Sequence, residues 1–158
     1  MAITPEPWYV TERSEAFASI LLSRRTDVHI WKKTQLDDRL VLHVAVNNGS
    51  AVSPQLFVVQ VKGTMSADPD EWAAKVEPWF LDPNEANWLP SCVFVVNVRE
   101  NQSFYAWLAE PVITDGESGL KSSSREVHFY PLDTSAVNQI VDQVKAWYAA
   151  LQKQLQPA

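Results

Sequence analysis

Cysteine is almost missing from this sequence, and the single copy limits the chemistry that the chain can carry. Cys92 is the only cysteine among 158 residues, which excludes an internal disulfide and gives no cysteine spacing typical of a zinc site. It lies in the apolar run Cys92–Val96, which favours a small buried side chain over a nucleophilic thiol. The sequence indicates no histidine partner for it, so we expect no cysteine-based catalysis.

Long apolar runs and an excess of basic residues are missing as well. No stretch approaches the roughly 20 apolar residues that a membrane-spanning helix needs. The segment Met1–Val10 has two prolines, an acid and no basic residue, unlike a signal or transit peptide, so we expect a cytoplasmic protein. The formal net charge of −6 disfavours strong general affinity for nucleic acid. It leaves open a local basic cleft on an acidic body.

What is present is the composition of one ordinary globular domain. Apolar residues make up 46% of the chain and charged residues 20%, enough to bury one core. We therefore expect a single domain over residues 1–158, with a core from about residue 11 to residue 151. Three apolar, valine-rich runs predict strands in the middle of a sheet that is covered on both faces. They are Leu40–Val46, Leu56–Lys62 and Cys92–Val98.

The remaining patterns predict the elements around these central strands. Period-3.6 stripes predict a first helix with Thr11 as its N-cap, and a final helix capped by Asp133 or Thr134. The fold class is therefore α/β (α+β), with a central mixed β-sheet flanked by helices. The predicted helices are Thr11–Arg25, Asp133–Leu151 and short turns at Asp70–Val76 and Pro83–Leu89. The further strands are Val28–Thr34 at an edge, Phe104–Leu108 and Glu126–Leu132, and an exposed loop is predicted at Thr114–Arg125.

The most informative spot for chemistry is the end of the second central strand. Gln60 and Lys62 point to the same face, because strand side chains alternate. Asp37 and Asp38 stand just before the preceding strand, and a hairpin would bring them near this pair. An acid, an amide oxygen and an ammonium would then surround one point. Each residue also has an ordinary interpretation: a strand-end lysine reaching solvent, a core-edge glutamine and turn acids.

The run Phe57–Thr64 resembles the Gln-x-Lys variant of restriction-endonuclease-like nucleases, the PD-(D/E)xK superfamily. The wider layout is similar to one bacterial group of that fold, domain-of-unknown-function family 4365. The resemblance covers roughly Arg13 to Leu151 and depends on the order of several short motifs. Besides Gln60 and Lys62, these motifs are Glu15 in an opening helix, Asn87-Trp88-Leu89-Pro90 before a strand, and Tyr105-Ala106-Trp107-Leu108 after a turn.

The resemblance implies a metal-dependent phosphodiester hydrolysis of DNA. The catalytic residues would be Asp38, Gln60 and Lys62. Magnesium or manganese would be held by Glu15, Asp37, Asp38 and the Gln60 oxygen. The family usually reads Asp-x-Gly-Ile-Asp ahead of the Gln-x-Lys strand, and Val41 stands here where the second acid is expected. Because magnesium prefers carboxylate oxygens in octahedral geometry, this departure predicts a degenerate metal site.

Two hypotheses follow, a diverged nuclease and a non-catalytic binding module on the same scaffold. The second would bind DNA, a protein partner or a second copy of the chain. Its contact surface would be a remnant cleft or the acidic segment that carries Trp72, Trp79 and Trp88, because tryptophan is enriched in interface hot spots. His43, inside an apolar strand, is interpreted as a core histidine and not as a ligand.

Overall fold

A computed structural model describes residues 6–36, 39–47, 55–80, 89–122 and 127–156 of the chain. Three helices and seven strands occur in these ranges. The helices are α1 (Trp8–Ser23), α2 (Pro69–Phe80) and α3 (Thr134–Leu155). The strands are β1 (Val28–Gln35), β2 (Leu40–Val46), β3 (Gln55–Thr64), β4 (Ser91–Asn97), β5 (Gln102–Thr114), β6 (Glu117–Ser122) and β7 (Tyr130–Pro131).

The strands form one mixed sheet in the order β1-β2-β3-β4-β5-β6, with β7 paired to another part of β5. β3 and β4 run parallel, and every other neighbouring pair is antiparallel. The predicted central position of β2, β3 and β4 is confirmed, as is the position of β1 at an edge. These three strands are valine-rich because both of their faces are covered, which leaves few positions for polar side chains.

The two faces of the sheet are covered by different helices. α1 and α3 share one face, where Ala18, Leu22 and Ile140 join the larger core cluster with Phe57 and Phe94. α2 lies on the opposite face, where Trp72, Val76 and Trp79 pack against side chains of β4 and β5. The expectation that helices cover both faces is therefore confirmed. Among the described residues, none of the helices carries an apolar stretch able to cross a lipid bilayer.

α3 begins as predicted, whereas α1 does not. The Asp133 side chain accepts a hydrogen bond of 2.8 Å from the Ala136 amide and caps α3. α1 starts at Trp8 after Pro7, so the expected N-cap at Thr11 is wrong and Thr11 lies inside the first turns. The proline has no capping side chain, but its fixed φ suits a helix start.

The predicted loop at Thr114–Arg125 is also wrong over most of its described part. β5 continues to Thr114 and turns back into β6 through Asp115 and Gly116. Both turn residues have positive φ, 53° and 80°, which the tight turns of β-hairpins require. The Asp-Gly pair is the sequence signal for such a hairpin. Of the predicted last strand, Glu126–Leu132, only Tyr130–Pro131 forms a strand within the described residues.

One close approach fixes α1 against the sheet. A Cβ atom added at Gly63 of β3 would lie 2.2 Å from Ser14 Oγ and 2.9 Å from the Val10 carbonyl oxygen. Ser14 is buried, and its hydroxyl donates a 2.6 Å hydrogen bond to the same carbonyl. The helix backbone therefore packs directly on a strand position that has no side chain.

We predict that Gly63→Ala lowers the free energy of unfolding by about 1–3 kcal/mol, since the new methyl group overlaps the α1 backbone. The matched control is Gly119→Ala on β6, where the nearest atom to an added Cβ is 3.8 Å away. That control should change stability by less than about 0.5 kcal/mol. Urea unfolding of both variants measures the difference, and equal effects would contradict the close packing of α1.

An ion-pair network ties the end of α1 to β1 and α3. Asp27 accepts hydrogen bonds of 2.9 and 2.8 Å from the Arg25 guanidinium, and a further one from Lys145 of α3. Arg25 also reaches Asp142 of α3 at 3.2 Å. The hydrogen bonds from Arg25 hold the pKa of the Asp27 carboxyl well below its ordinary value, and Lys145 adds to the effect. The network therefore stabilises the fold through the ionised carboxylate.

We predict that Asp27→Asn lowers the free energy of unfolding at pH 7 by about 1.5–3 kcal/mol, the range for charge-assisted hydrogen bonds. Because the folded pKa lies below the ordinary 3.8, the stabilisation is complete above pH 3.8 and is lost as the pH falls towards the folded pKa. The difference between wild type and variant should therefore be constant from pH 6 to 8 and shrink at pH 3. Asp142→Asn, at a more exposed partner of Arg25, is the control and should cost less.

Candidate functional site

Gln60 lies at the centre of the candidate site, on the α2 face of the sheet. The register of the sheet places Val41 of β2 on one side of it and Val93 of β4 on the other. Gln60 is buried, 5% exposed. Among the described residues, no group donates a hydrogen bond to its side-chain oxygen. A buried acceptor without a donor costs stability, so this oxygen is available to a ligand that donates to it.

Lys62 shares this face with Gln60, as the strand alternation predicted. It is mostly buried, and its ammonium lies 4.0 Å from Oε2 of Glu6. The other oxygen of Glu6 lies 3.6 Å from the ammonium of Lys75 on α2. Two ammonium groups from different elements thus meet at one carboxylate. Sequence reasoning missed Glu6 and Lys75 because no local motif marks them, and only the docking of α1 and α2 brings them to β3.

Arg39 lies at the Lys62 end of the same site. It precedes Leu40, which is paired with Val61, so it lies level with the Lys62 end of β3. Its guanidinium carbon lies 4.9 Å from the centre of the Trp79 ring, a cation–π contact between the β1–β2 connection and α2. Arg39, Lys62 and Lys75 are called the basic cluster below. Asp37 and Asp38 lie outside the described residues.

Glu15 does not join this site. It belongs to α1, on the opposite face of the sheet, and its carboxylate pairs with Lys33 of β1 at 2.8 Å. Lys33 faces α1 because it pairs with Leu42, whose side chain lies in the core between the sheet and the α1–α3 layer. The predicted role of Glu15 as a metal ligand beside Gln60 is therefore corrected: the sheet separates the two side chains.

The tryptophans of α2 form core contacts and offer no exposed contact surface. Trp72 and Trp79 are 3% and 4% exposed. With Val76 they form a helical stripe at i, i+4 and i+7 that packs on the sheet. The prediction that Trp72 and Trp79 bind a partner from the surface is corrected accordingly, since their rings are already covered. Trp88 lies outside the described residues.

Two further titratable side chains have structural roles. Cys92 is fully buried, and burial raises the pKa of its thiol far above the ordinary value, so it is not a nucleophile. His43 lies on the α2 face, opposite Val58. Partial burial lowers the pKa of its imidazole, with a contribution from the charge of Lys32, so the neutral form is favoured. Neither residue adds a charged ligand to the site.

The described side chains around Gln60 suit an anion better than a magnesium or manganese ion. Within the described ranges, no group of three or more histidine, cysteine, aspartate or glutamate side chains is placed to hold a metal ion. Gln60 offers one amide oxygen, Val41 offers none, and the Glu6 carboxylate is paired with two lysines. Magnesium needs at least one or two well-placed carboxylates, so this donor set does not fit it. Three cationic side chains can instead neutralise a phosphate group.

Comparison of the chain with protein-family models, with curated proteins and with solved structures found no match.

Proposed function

We propose that this chain is a restriction-endonuclease-like domain whose metal centre has lost its strand acid, and that it acts as a non-catalytic binding module. The observation that carries the proposal is the position of Val41. It lies directly opposite Gln60 on the neighbouring antiparallel strand. That is the place where the resemblance to nucleases requires a carboxylate next to the Gln-x-Lys pair. A valine methyl group cannot bind a divalent cation.

The partner that best fits the remaining side chains is the phosphate backbone of a nucleic acid. The basic cluster gathers three cationic side chains at the Lys62 end of β3, within reach of one face of the sheet. Cationic side chains supply affinity for phosphates without reading sequence. The chain as a whole carries −6, so the binding we propose is weak and local to this face.

A second candidate function is a metal-dependent nuclease in which Asp37 or Asp38 replaces the acid at position 41. The unpartnered oxygen of Gln60 favours it, since that atom would be a metal ligand in the family resemblance. So does Arg39, the residue that follows Asp38 in sequence, because it lies level with the Lys62 end of β3. Metal-dependent cleavage by the wild type, lost in both Asp38→Ala and Lys62→Ala, would establish this function in place of the first.

The metal test restores the missing acid. We predict that wild type binds manganese weakly and does not nick plasmid DNA, whereas Val41→Asp binds manganese roughly tenfold more tightly, equivalent to about 1.4 kcal/mol. Val41 is half-buried, so the strand can accept an aspartate there. Val41→Asn is the control of matched shape without the charge. Calorimetric titration measures the affinity, and equal binding by the Asp and Asn variants would contradict a lost metal centre.

The binding test removes charge from one face at a time. We predict that wild type binds a short DNA duplex in low salt, that added salt weakens the complex, and that Lys62→Ala with Lys75→Ala weakens it at least about fivefold. Arg24→Ala with Lys33→Ala is the control, because it also removes two positive charges but takes them from the end of α1 and from β1, away from the basic cluster. Fluorescence anisotropy of a labelled duplex measures the affinity. If the control loses as much affinity for the duplex, the loss comes from the net charge of the protein alone, and the basic cluster is not the binding site.

A further inference from the structure

A second concave site lies on the β5 side of α2, two strands away from Gln60. The cavity has a volume of about 390 Å³ and opens between the start of α2, the β4–β5 turn and the segment that precedes β7. This volume is within the range of small-molecule sites in proteins, roughly 300–1,000 Å³. None of the basic cluster residues lines it.

Aromatic side chains form the inner wall of this cavity. They are Trp72 of α2, Phe104 of β5 and Phe129. The Trp72 ring centre lies 4.7 Å from that of Phe104 and 5.7 Å from that of Phe129, the latter edge-to-face. Trp72 is covered, whereas Phe104 and Phe129 keep part of their surface open. The wall is thus apolar, with aromatic surface that can contact a cation.

The outer rim carries acidic side chains. Asp70 projects from the first turn of α2 and Glu100 from the β4–β5 turn, and both are exposed. Among the described residues that line the cavity there is no lysine or arginine, and His128 is the only other ionisable side chain. Amide groups at the start of α2 already donate to Asp68, so the helix start does not offer them to an anion. The acidic rim therefore favours a cationic ligand over an anionic one.

A buried asparagine holds the wall and the rim together. The side-chain amide of Asn97 donates to the Ser66 carbonyl at 3.1 Å, and the Trp72 indole donates to the same carbonyl at 2.8 Å. The Asn97 side-chain oxygen accepts from the amides of Arg99 and Glu100 at 3.1 and 3.2 Å. Asn97 is fully buried. The aromatic wall and the turn that bears Glu100 are therefore fixed to each other before any ligand arrives, which lowers the cost of binding.

The geometry points to a binding site for a small organic cation of the quaternary or methylated ammonium class. Such a cation has an apolar surface that suits the exposed parts of Phe104 and Phe129, and a charge that suits Asp70 and Glu100. A bare ammonium ion is more strongly hydrated and gains less from an apolar wall. A neutral ligand of the same shape gains the apolar contact only. This site is independent of the function proposed for the Gln60 face.

The test compares choline with 3,3-dimethylbutan-1-ol, which has the same shape and no charge. Ligand-observed NMR titration of the full chain should show that choline binds roughly tenfold more tightly than the neutral alcohol. The double variant Asp70→Asn, Glu100→Gln should remove this preference, because it keeps the shape of the rim without its charge. The double variant Glu71→Gln, Glu77→Gln, on α2 and outside the cavity, is the matched control and should bind choline as wild type does.

A second variant tests the aromatic wall. Phe104→Leu keeps an apolar side chain but removes the ring, and should weaken choline binding about fivefold while changing binding of the neutral alcohol little. The melting curve of Phe104→Leu shows whether this variant still folds. The rim double variant tests the same site and changes no core residue. Equal binding of choline and the alcohol would overturn the proposal. So would an absence of choline binding, or choline binding that survives in the rim double variant.

Discussion

The parallel pairing of β3 with β4 is the constraint on which the rest of this structure depends. A parallel pair needs a crossover that returns the chain to the starting end of the sheet, and α2 lies within that crossover. Because α2 takes one face, α1 and α3 are left to cover the other, and both faces of β3 become buried. α2 also divides its own face into two regions. The basic cluster and Gln60 lie towards β2 and β3, and the acid-rimmed cavity lies towards β5.

Much of the sheet could be predicted from the sequence because strands buried on both faces are apolar at nearly every position. Leu40–Val46, Leu56–Lys62 and Cys92–Val98 carry that signal and form β2, β3 and β4 with small changes at their ends. The pair Asp115-Gly116 is a hairpin signal that could have predicted the turn between β5 and β6. The polar sequence around this pair is typical of a loop, which is why a loop was predicted there. The start of α1 was harder to predict, because Pro7 provides no capping side chain.

The sequence predicts which residues of the candidate site share a strand face, but it does not predict which helices pack on that face. Period-2 alternation places Gln60 and Lys62 on one face without any knowledge of the rest of the chain. The side of the sheet on which a helix packs is a tertiary property. α1 lies where Gly63 leaves room for its backbone, and this carries Glu15 to the face opposite Gln60. The same docking brings Glu6, a residue without a motif, to Lys62 and Lys75.

The contrast between Val41 and Gln60 is the strongest argument about how this face is used. A valine at position 41 suits a β-strand, whereas a carboxylate at that position would have to be held beside buried apolar neighbours. At that position, the sequence therefore has the residue that a stable strand prefers. Gln60 is the opposite case, since a buried side-chain oxygen without a donor costs stability and an apolar residue would avoid the cost. Residues that break local rules without a structural benefit are expected at functional sites. Position 41 thus offers no carboxylate to a metal ion, and the three cations of the basic cluster fit an anionic partner better than metal-dependent catalysis. The Gln60 oxygen can accept a hydrogen bond from a donor group of the same partner.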